Sequence, residues 1–300
     1  MNGIAMTADR IRGSNTALVT PMLRDGAVDE VRFAKFVEWQ IQNGTQGLIP
    51  VGTTGESATL SHLEHEKVIS QCVEVAAGRV PVIAGTGSNS TAEAVSLSMA
   101  AEAVGADALL VVTPYYNKPT QTGLLHHFRA IHDATNLPII IYNIPGRSVI
   151  NMSVETMAEL SKLERIVGVK DATADLVRPI DQRLASGPDF IQLSGEDASI
   201  LAFMGAGGHG CISVTSNVAP RLCADFHAAW AAGDRAKAQE INDRLMPLHH
   251  AMFIESNPVP AKYALELLGM LEPGLRLPLV PLQQSTKDAV KAALIKVGLL

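Results

Sequence analysis

The sequence has few of the features that mark membrane, secreted or disulfide-bonded proteins. No apolar stretch reaches the about 18 residues that a transmembrane helix needs, and the first residues, MNGIAMTADRIRGS, lack the basic start and apolar core of a signal peptide. The three cysteines, Cys72, Cys211 and Cys223, are odd in number and show no CxxC spacing, which argues against disulfides and a zinc site. We therefore expect a cytoplasmic protein with no membrane partner, whose cysteines are small buried side chains.

The charge is modest and unclustered. A net charge of -6 without any block of lysine and arginine argues against nucleic acid as the main partner. A small acidic substrate remains compatible with it, because a single arginine in a pocket would suffice. With 300 residues, 47% hydrophobic and 18% charged, the chain is long enough for one large α/β barrel or two smaller domains.

Eight short β-rich runs recur along the first 217 residues, with helix-period segments between them. Most are continuously apolar, as parallel strands covered on both faces are. This pattern predicts a (β/α)8 TIM barrel over residues 1–217. The runs are TALVT (16–20), QGLIPV (46–51), VPVIAG (80–85), DALLVVT (107–113), PIIIYN (138–143), IVGVK (166–170), DFIQLS (189–194) and GCISVT (210–215).

Beyond residue 217 the strand runs stop. Four helical segments are predicted near 218–232, 234–253, 256–269 and 284–298. Because this part has no strands of its own, we interpret residues 218–300 as a C-terminal helical appendage packed on the barrel.

A parallel barrel holds its chemistry at the carboxyl ends of its strands, and polar motifs stand at these ends here. Strand 2 ends in VGTTGES (51–57), strand 4 in TPYYNKP (113–119), strand 5 in YNIPGR (142–147) and strand 6 in Lys170, while GGHG (207–210) opens strand 8. None of the glycine-rich segments has the GK[ST] of a P-loop or a full dinucleotide fingerprint, so nucleotide binding is not predicted.

Lys170 ends an apolar run, where an amine is costly unless it is paired or has lost its proton. It could reach past the strand end to solvent, or a site that desolvates it could favour imine formation with a carbonyl substrate. The GTTGE turn with Thr53 and Thr54 could hold a carboxylate or merely cap a helix. Tyr142 could move protons, and Arg147 could bind an acid or form a surface ion pair. Together they are what a keto-acid aldolase requires.

As a set, VGTTGESATL, TPYYNKP, YNIPGR, GVKDAT, LSGED and GGHGCISVT closely resemble the dihydrodipicolinate synthases, over nearly the whole chain. The resemblance implies that pyruvate forms an imine on Lys170 and condenses with L-aspartate-β-semialdehyde to give 4-hydroxy-tetrahydrodipicolinate, without metal or organic cofactor. It implies a homo-oligomer, usually a tetramer, in which a neighbouring subunit donates Tyr116. The implied roles are pyruvate carboxylate binding for Thr54 with Thr53, proton relay for Thr53, Tyr142 and Tyr116, acceptor binding for Arg147, and a backbone carbonyl beside pyruvate for Ile212.

A second site is implied for feedback inhibition by L-lysine. Spacing alone favours the interpretation of His62 and His65 as two surface histidines that cap and solvate a helix start. The resemblance favours an inhibitor pocket at a subunit interface, with Glu93 pairing the amino groups of lysine. The matching residues are Ser57, Ala58, His62, His65, Asn89, Glu93 and Tyr115.

Two alternatives stay open from sequence. One is a sister pyruvate aldolase that acts on a sugar aldehyde or N-acetylmannosamine, which Thr53 and Arg147 disfavour. The other is a barrel that binds a small acid without catalysis, although every proposed catalytic position is filled. We also expect Cys211, if its thiol is exposed near the pyruvate pocket, to be sensitive to oxidation.

Overall fold

Eight parallel strands form a closed barrel in the computed structural model, which describes residues 9–300. The sheet order β2-β1-β8-β7-β6-β5-β4-β3 is closed by a parallel bridge between Leu48 and Val82. The strands are β1 Gly13–Ala17, β2 Gly47–Ile49, β3 Ile83–Gly85, β4 Ala108–Val112, β5 Ile139–Asn143, β6 Ile166–Asp171, β7 Ile191–Ser194 and β8 Gly210–Ser213. The predicted (β/α)8 barrel is thereby confirmed.

Helices follow the strands and cover the outside of the barrel. Those of the barrel are Glu30–Gln42, His62–Ala76, Thr91–Ala103, Gln121–Ala134, Pro145–Ser148, Val154–Leu160, Arg178–Ser186 and Ile200–Gly205. The helix His62–Ala76 begins with a capping box, in which Ser61 and Glu64 exchange hydrogen bonds. Within the described residues, every helix is too short or too polar to span a bilayer.

The C-terminal part consists of the predicted helices. They run over Pro220–Ala231, Arg235–Ala251, Val259–Leu267 and Gln284–Val297. Their apolar side chains, such as Leu248 and Leu294, join the same core cluster as the outward-facing residues of the strands, such as Ile141 and Val169. The tail therefore packs directly on the barrel, and the division at residue 217 stays a prediction.

A separate apolar cluster fills the barrel interior. It includes Ile49, Ile83, Ile140, Leu193 and Ile212, which lie on different strands. The interior is thus a packed core, and substrate can enter only at the strand ends.

Two strands lie elsewhere than predicted. The first covers residues 13–17 rather than 16–20, because Val19 donates its backbone N–H to the side-chain oxygen of Asn217 instead of to a strand. The second ends at Ile49, since Pro50 follows and Val51 has a φ of 49°, which turns the chain.

Candidate active site

Lys170 and Tyr142 stand side by side at the carboxyl ends of β6 and β5. They are register partners in the parallel pair, and both side chains are buried. The Lys170 Nζ lies 4.2 Å from the centre of the Tyr142 ring, and Lys170 is only 5% exposed. The face of the tyrosine therefore provides the amine with a cation–π partner inside the barrel mouth.

Residues after β7 shape the space around this amine. A side chain at Gly195 would place its Cβ 3.1 Å from Cε of Lys170 and 2.7 Å from Cβ of Ala172, so only glycine fits there. The next residue, Glu196, is half-buried. Burial raises the pKa of its carboxyl, Asp197 raises it further, and the nearby Lys170 lowers it. An ionisable carboxyl thus lies within electrostatic reach of the amine.

The GTTGE turn after β2 is built on close backbone contacts. A Cβ on Gly55 would lie 2.9 Å from the backbone of Val51, and Glu56 has a φ of 57°. Thr54 is buried, with its Oγ1 accepting a 2.9 Å hydrogen bond from Nδ2 of Asn257. This geometry fixes both threonines of the turn at the rim of the barrel.

The turn and Tyr142 face one cleft with a volume of about 350 Å³. Its walls carry a hydroxyl from Thr53, the Tyr142 side chain and the guanidinium-bearing side chain of Arg147. Arg147 is exposed, on the four-residue helix Pro145–Ser148. The cleft therefore combines hydrogen-bond donors and a positive charge beside a buried amine, which suits a small acidic carbonyl compound.

The two remaining predicted active-site residues, Ile212 and Tyr116, differ in burial. Ile212 is fully buried on β8, and Asp197 holds the turn after this strand by accepting hydrogen bonds from the backbone of Val214 and Thr215 at 2.9 and 3.0 Å. Tyr116 is 87% exposed at a φ of 72° and does not line the cleft of its own chain. Within the described residues, only Tyr115 of the tyrosine pair contacts this cleft.

Of the seven residues of the predicted inhibitor pocket, three line the cleft and two others pair with each other. Ser57, Ala58 and Tyr115 line the cleft itself. Nε2 of His62 lies 2.9 Å from Oε1 of Glu93, while the Ser88 hydroxyl donates a short hydrogen bond to the same carboxylate. The hydrogen bond from Ser88 lowers the pKa of Glu93 most, and the contact with His62 lowers it further.

His65 is a buried residue, not a surface one. Its Nε2–H donates to the carbonyl of Gly85 at 2.9 Å, and burial lowers its pKa. Nearby, Nδ2 of Asn117 donates to the carbonyl of Asn89 at 2.8 Å, which ties the loop after β4 to the start of the helix Thr91–Ala103. The interpretation of both histidines as solvated is therefore wrong for His65.

The dihydrodipicolinate synthetase family model matches residues 10–297. The chain belongs to this family. It is 65% identical over 289 residues to the 4-hydroxy-tetrahydrodipicolinate synthase of Rhodospirillum centenum, covering 96% of this chain and 99% of the relative. The synthase of Bradyrhizobium diazoefficiens is 62% identical over 291 residues, which is 97% of this chain and 98% of that one.

Solved structures of the dihydrodipicolinate synthetase family share the fold. The chloride-inhibited dihydrodipicolinate synthase of Acinetobacter baumannii, complexed with pyruvate, superposes with a TM-score of 0.95 at 46% identity, over 97% of this chain and 100% of that one. The Cyanidioschyzon merolae enzyme with lysine bound has a TM-score of 0.94 at 39% identity, over 97% and 99% of the two chains. Family membership makes this chain an enzyme, as the sequence predicted.

GGHG opens β8, as the sequence indicates, so it lies at the amino end of that strand and apart from the motifs at the carboxyl ends. The backbone N–H of Gln192 donates to Nδ1 of His209 there. Cys211 is buried like Cys72 and Cys223, and burial raises the pKa of its thiol, so no exposed reactive thiol stands at the site.

Sequence reasoning missed the contribution of the helical tail to this site. Asn257 contacts Thr54, and Lys262 forms a 2.6 Å ion pair with Glu56. No local signal in the sequence pairs residues about 200 positions apart, although Glu56 itself is part of the GTTGE motif. Among residues 9–300 no group of three or more potential ligands could hold a metal ion, and the expected absence of a metal or cofactor stays a prediction.

Proposed function

We propose that this enzyme condenses pyruvate with L-aspartate-β-semialdehyde to give 4-hydroxy-tetrahydrodipicolinate, through an imine on Lys170. The observation that carries the proposal is the buried Lys170 amine held against Tyr142, beside a cleft lined by Thr53 and Arg147. The names of the relatives and the pyruvate bound in the Acinetobacter baumannii structure support the same reaction.

The residues have complementary roles in the proposed reaction. The Lys170 amine attacks the keto carbon of pyruvate, and water leaves as the imine forms. Thr54 and Thr53 hold the pyruvate carboxylate, with the carbonyl of Ile212 beside it. Loss of a methyl proton then gives an enamine, whose carbon attacks the aldehyde of the acceptor, and Arg147 holds the acceptor carboxylate.

Protons move through Tyr142 and Thr53 in this proposal, with Tyr116 completing the relay from a neighbouring subunit. The exposure of Tyr116 supports that arrangement, because its side chain is free to reach another chain. Attack by the amino group of the acceptor on the imine carbon closes the ring and releases Lys170.

Borohydride trapping tests the imine. Wild-type protein incubated with pyruvate and borohydride should gain one covalent adduct at Lys170, and Lys170→Ala should gain none. Lys162→Ala removes an exposed lysine and should behave as wild type. Trapping without turnover of the semialdehyde would keep the imine chemistry and point to a sugar aldehyde as acceptor, whereas absence of trapping in wild type would refute the proposal.

The oligomer is tested by mixing two inactive variants. If Tyr116 acts in the site of a neighbour, co-refolded Tyr116→Phe and Lys170→Ala chains should regain activity, because mixed assemblies contain sites with both side chains. Tyr142→Phe mixed with Lys170→Ala is the control and should regain none, since both residues lie in one chain's site. Sedimentation of the wild type should show a tetramer.

We further propose that L-lysine inhibits the enzyme at the pocket formed by Ser57, Ala58, His62, His65, Asn89, Glu93 and Tyr115. The carboxylate of Glu93 supplies a charge for the amino groups of lysine, and the lysine-bound Cyanidioschyzon merolae relative supports such a ligand. Glu93→Gln should raise the half-inhibitory lysine concentration at least about tenfold. Inhibition is measured relative to the uninhibited rate of each variant, and unchanged inhibition would place the inhibitor elsewhere.

A further inference from the structure

The segment between two tail helices contacts the turn that carries Thr53 and Thr54. Asn257, 7% exposed, donates from Nδ2 to Oγ1 of Thr54, which is 3% exposed, at 2.9 Å. Asn257 also lines the cleft beside Thr53 and Tyr142. A buried amide from the C-terminal tail thus stands in the wall of the active site.

The direction of this hydrogen bond determines what the Thr54 hydroxyl can do. A threonine hydroxyl has one hydrogen to donate and two lone pairs to accept with. Because Asn257 donates to the oxygen, the hydrogen of Thr54 is left for another acceptor, and among residues 9–300 it has none. The bond from Asn257 also polarises the hydroxyl and makes it a better donor.

A second contact from the same tail segment neutralises a negative charge that would otherwise repel the substrate carboxylate from Thr54. Glu56 lies two residues after Thr54, and its carboxylate near the turn would repel an acid. Nζ of Lys262 lies 2.6 Å from Oε1 of Glu56, and both side chains are almost fully buried. Lys262 belongs to the helix Val259–Leu267, which begins two residues after Asn257, so one short segment both orients Thr54 and neutralises Glu56.

We propose that Asn257 is a positioning residue, which orients the Thr54 hydroxyl so that it donates to the carboxylate of the keto-acid substrate. This inference rests on the proposed function, because it needs pyruvate at the GTTGE turn. Asn257 acts through Thr54 and is needed for binding of the keto acid, not for the later steps with the aldehyde.

A double-mutant cycle tests the proposal. The concentration of pyruvate that gives half-maximal borohydride trapping is measured for wild type, Asn257→Ala, Thr54→Val and the double variant. Each single change should raise this concentration about tenfold, and the double variant should be no worse than Thr54→Val alone, because the two residues act as one unit. Asn242→Ala removes another buried asparagine of the tail and should stay within about twofold of wild type.

Asn257→Asp distinguishes the effect of the hydrogen-bond direction from the effect of side-chain size. It keeps the shape and replaces the donor with a charged acceptor, so it should impair pyruvate binding more than Asn257→Ala at pH 8 and recover as the pH falls and the new carboxyl becomes a donor. Asn257→Asp also replaces Asn257→Ala in the test if the alanine variant does not fold, which a thermal unfolding measurement would reveal. The KM for the semialdehyde should change less than about twofold.

The outcomes separate this inference from the proposed function. Three results would overturn the role of Asn257 even if the wild type is trapped normally. They are multiplicative effects of the two changes in the double variant, equal changes in the KM values for pyruvate and the semialdehyde, and an unchanged pyruvate dependence in Asn257→Asp. Absence of trapping in the wild type would instead overturn the proposed function, and the role of Asn257 with it.

Discussion

Tyr142 and Lys170 occupy paired positions on neighbouring strands, and the lysine amine lies over the face of the tyrosine ring at 4.2 Å from its centre. We therefore propose two functions for Tyr142: its ring packs against the amine, and its hydroxyl carries protons in the cleft that this side chain lines.

Tyr142→Phe should keep the first function and lose the second. Because the ring remains, we expect pyruvate trapping on Lys170 to proceed to completion, while turnover falls by about 10²–10⁴-fold through loss of the proton carrier. Steady-state rates and trapping yields are measured on the same preparation. Tyr263→Phe, which changes a tyrosine of the helical tail, is the control; if Tyr142→Phe turned over normally, the proton would have to pass elsewhere.

Gly195→Ala should displace the Lys170 side chain without removing any reactive group. The added methyl group would lie 2.7 Å from Cβ of Ala172 and 3.1 Å from Cε of Lys170, both too close. We expect a loss of unfolding free energy of about 1–3 kcal/mol from overpacking and a drop in kcat/KM of about 10²-fold from displacement of the amine.

Gly205→Ala is the matched control, since nothing lies within 4 Å of its added methyl group. Denaturant unfolding and imine trapping rates measure the two effects. Normal activity in Gly195→Ala would show that the amine tolerates displacement.

The buried pair of Lys262 and Glu56 should respond asymmetrically to mutation. Both partners are almost inaccessible, with side-chain exposures of 4% and 1%. Lys262→Met alone leaves an unpaired buried carboxylate and should cost about 3–5 kcal/mol, whereas adding Glu56→Gln should recover much of it.

An exposed pair of the same length provides the comparison. Lys67 and Glu30 also lie 2.6 Å apart but are 63% and 45% exposed, so Lys67→Met should cost less than about 1 kcal/mol. Urea unfolding at one protein concentration measures all four proteins. Equal losses for Lys262→Met and Lys67→Met would show that burial of the first pair does not matter.

His127 should make the protein sensitive to mild acid. It is buried, and burial lowers its pKa to about 4 from 6.5. Between these values the unfolded chain binds the proton and the folded chain does not, so stability falls as the pH drops from 6.5 towards 4, by up to about 3 kcal/mol from this residue.

His127→Gln should remove that part of the pH dependence. The neighbouring His126, exposed on the same helix, is the control, and His126→Gln should leave the dependence unchanged. Unfolding free energies at pH 7, 5.5 and 4.5 test this, and identical slopes for wild type and His127→Gln would contradict it.

The sequence predicts the barrel well because parallel strands buried on both faces are continuous apolar runs. It predicts the positions of Lys170, Tyr142 and Thr54 because strand ends follow directly from those runs. It places β1 three residues too late, since the apolar Leu18 and Val19 continue the run although Val19 bonds to the Asn217 side chain.

Contacts from the tail could not be predicted in this way. Asn257 and Lys262 are separated from their partners by 203 and 206 positions, and only the tertiary fold brings them to the GTTGE turn. The spacing of His62 and His65 is the same whether His65 is buried or exposed. Only the tertiary fold places its side chain in the interior, where it bonds to the carbonyl of Gly85.

The pairing of β1 with β8 joins residues that are nearly 200 positions apart, such as Gly13 and Gly210. During synthesis on the ribosome, the first strand must therefore wait, with one edge unpaired, until almost three quarters of the chain has emerged. The Asn217 side chain, which bonds to both Ala17 and Val19, can then secure the closed ring. Such long-range closure slows folding and leaves a strand edge of the nascent barrel open to pairing with other chains.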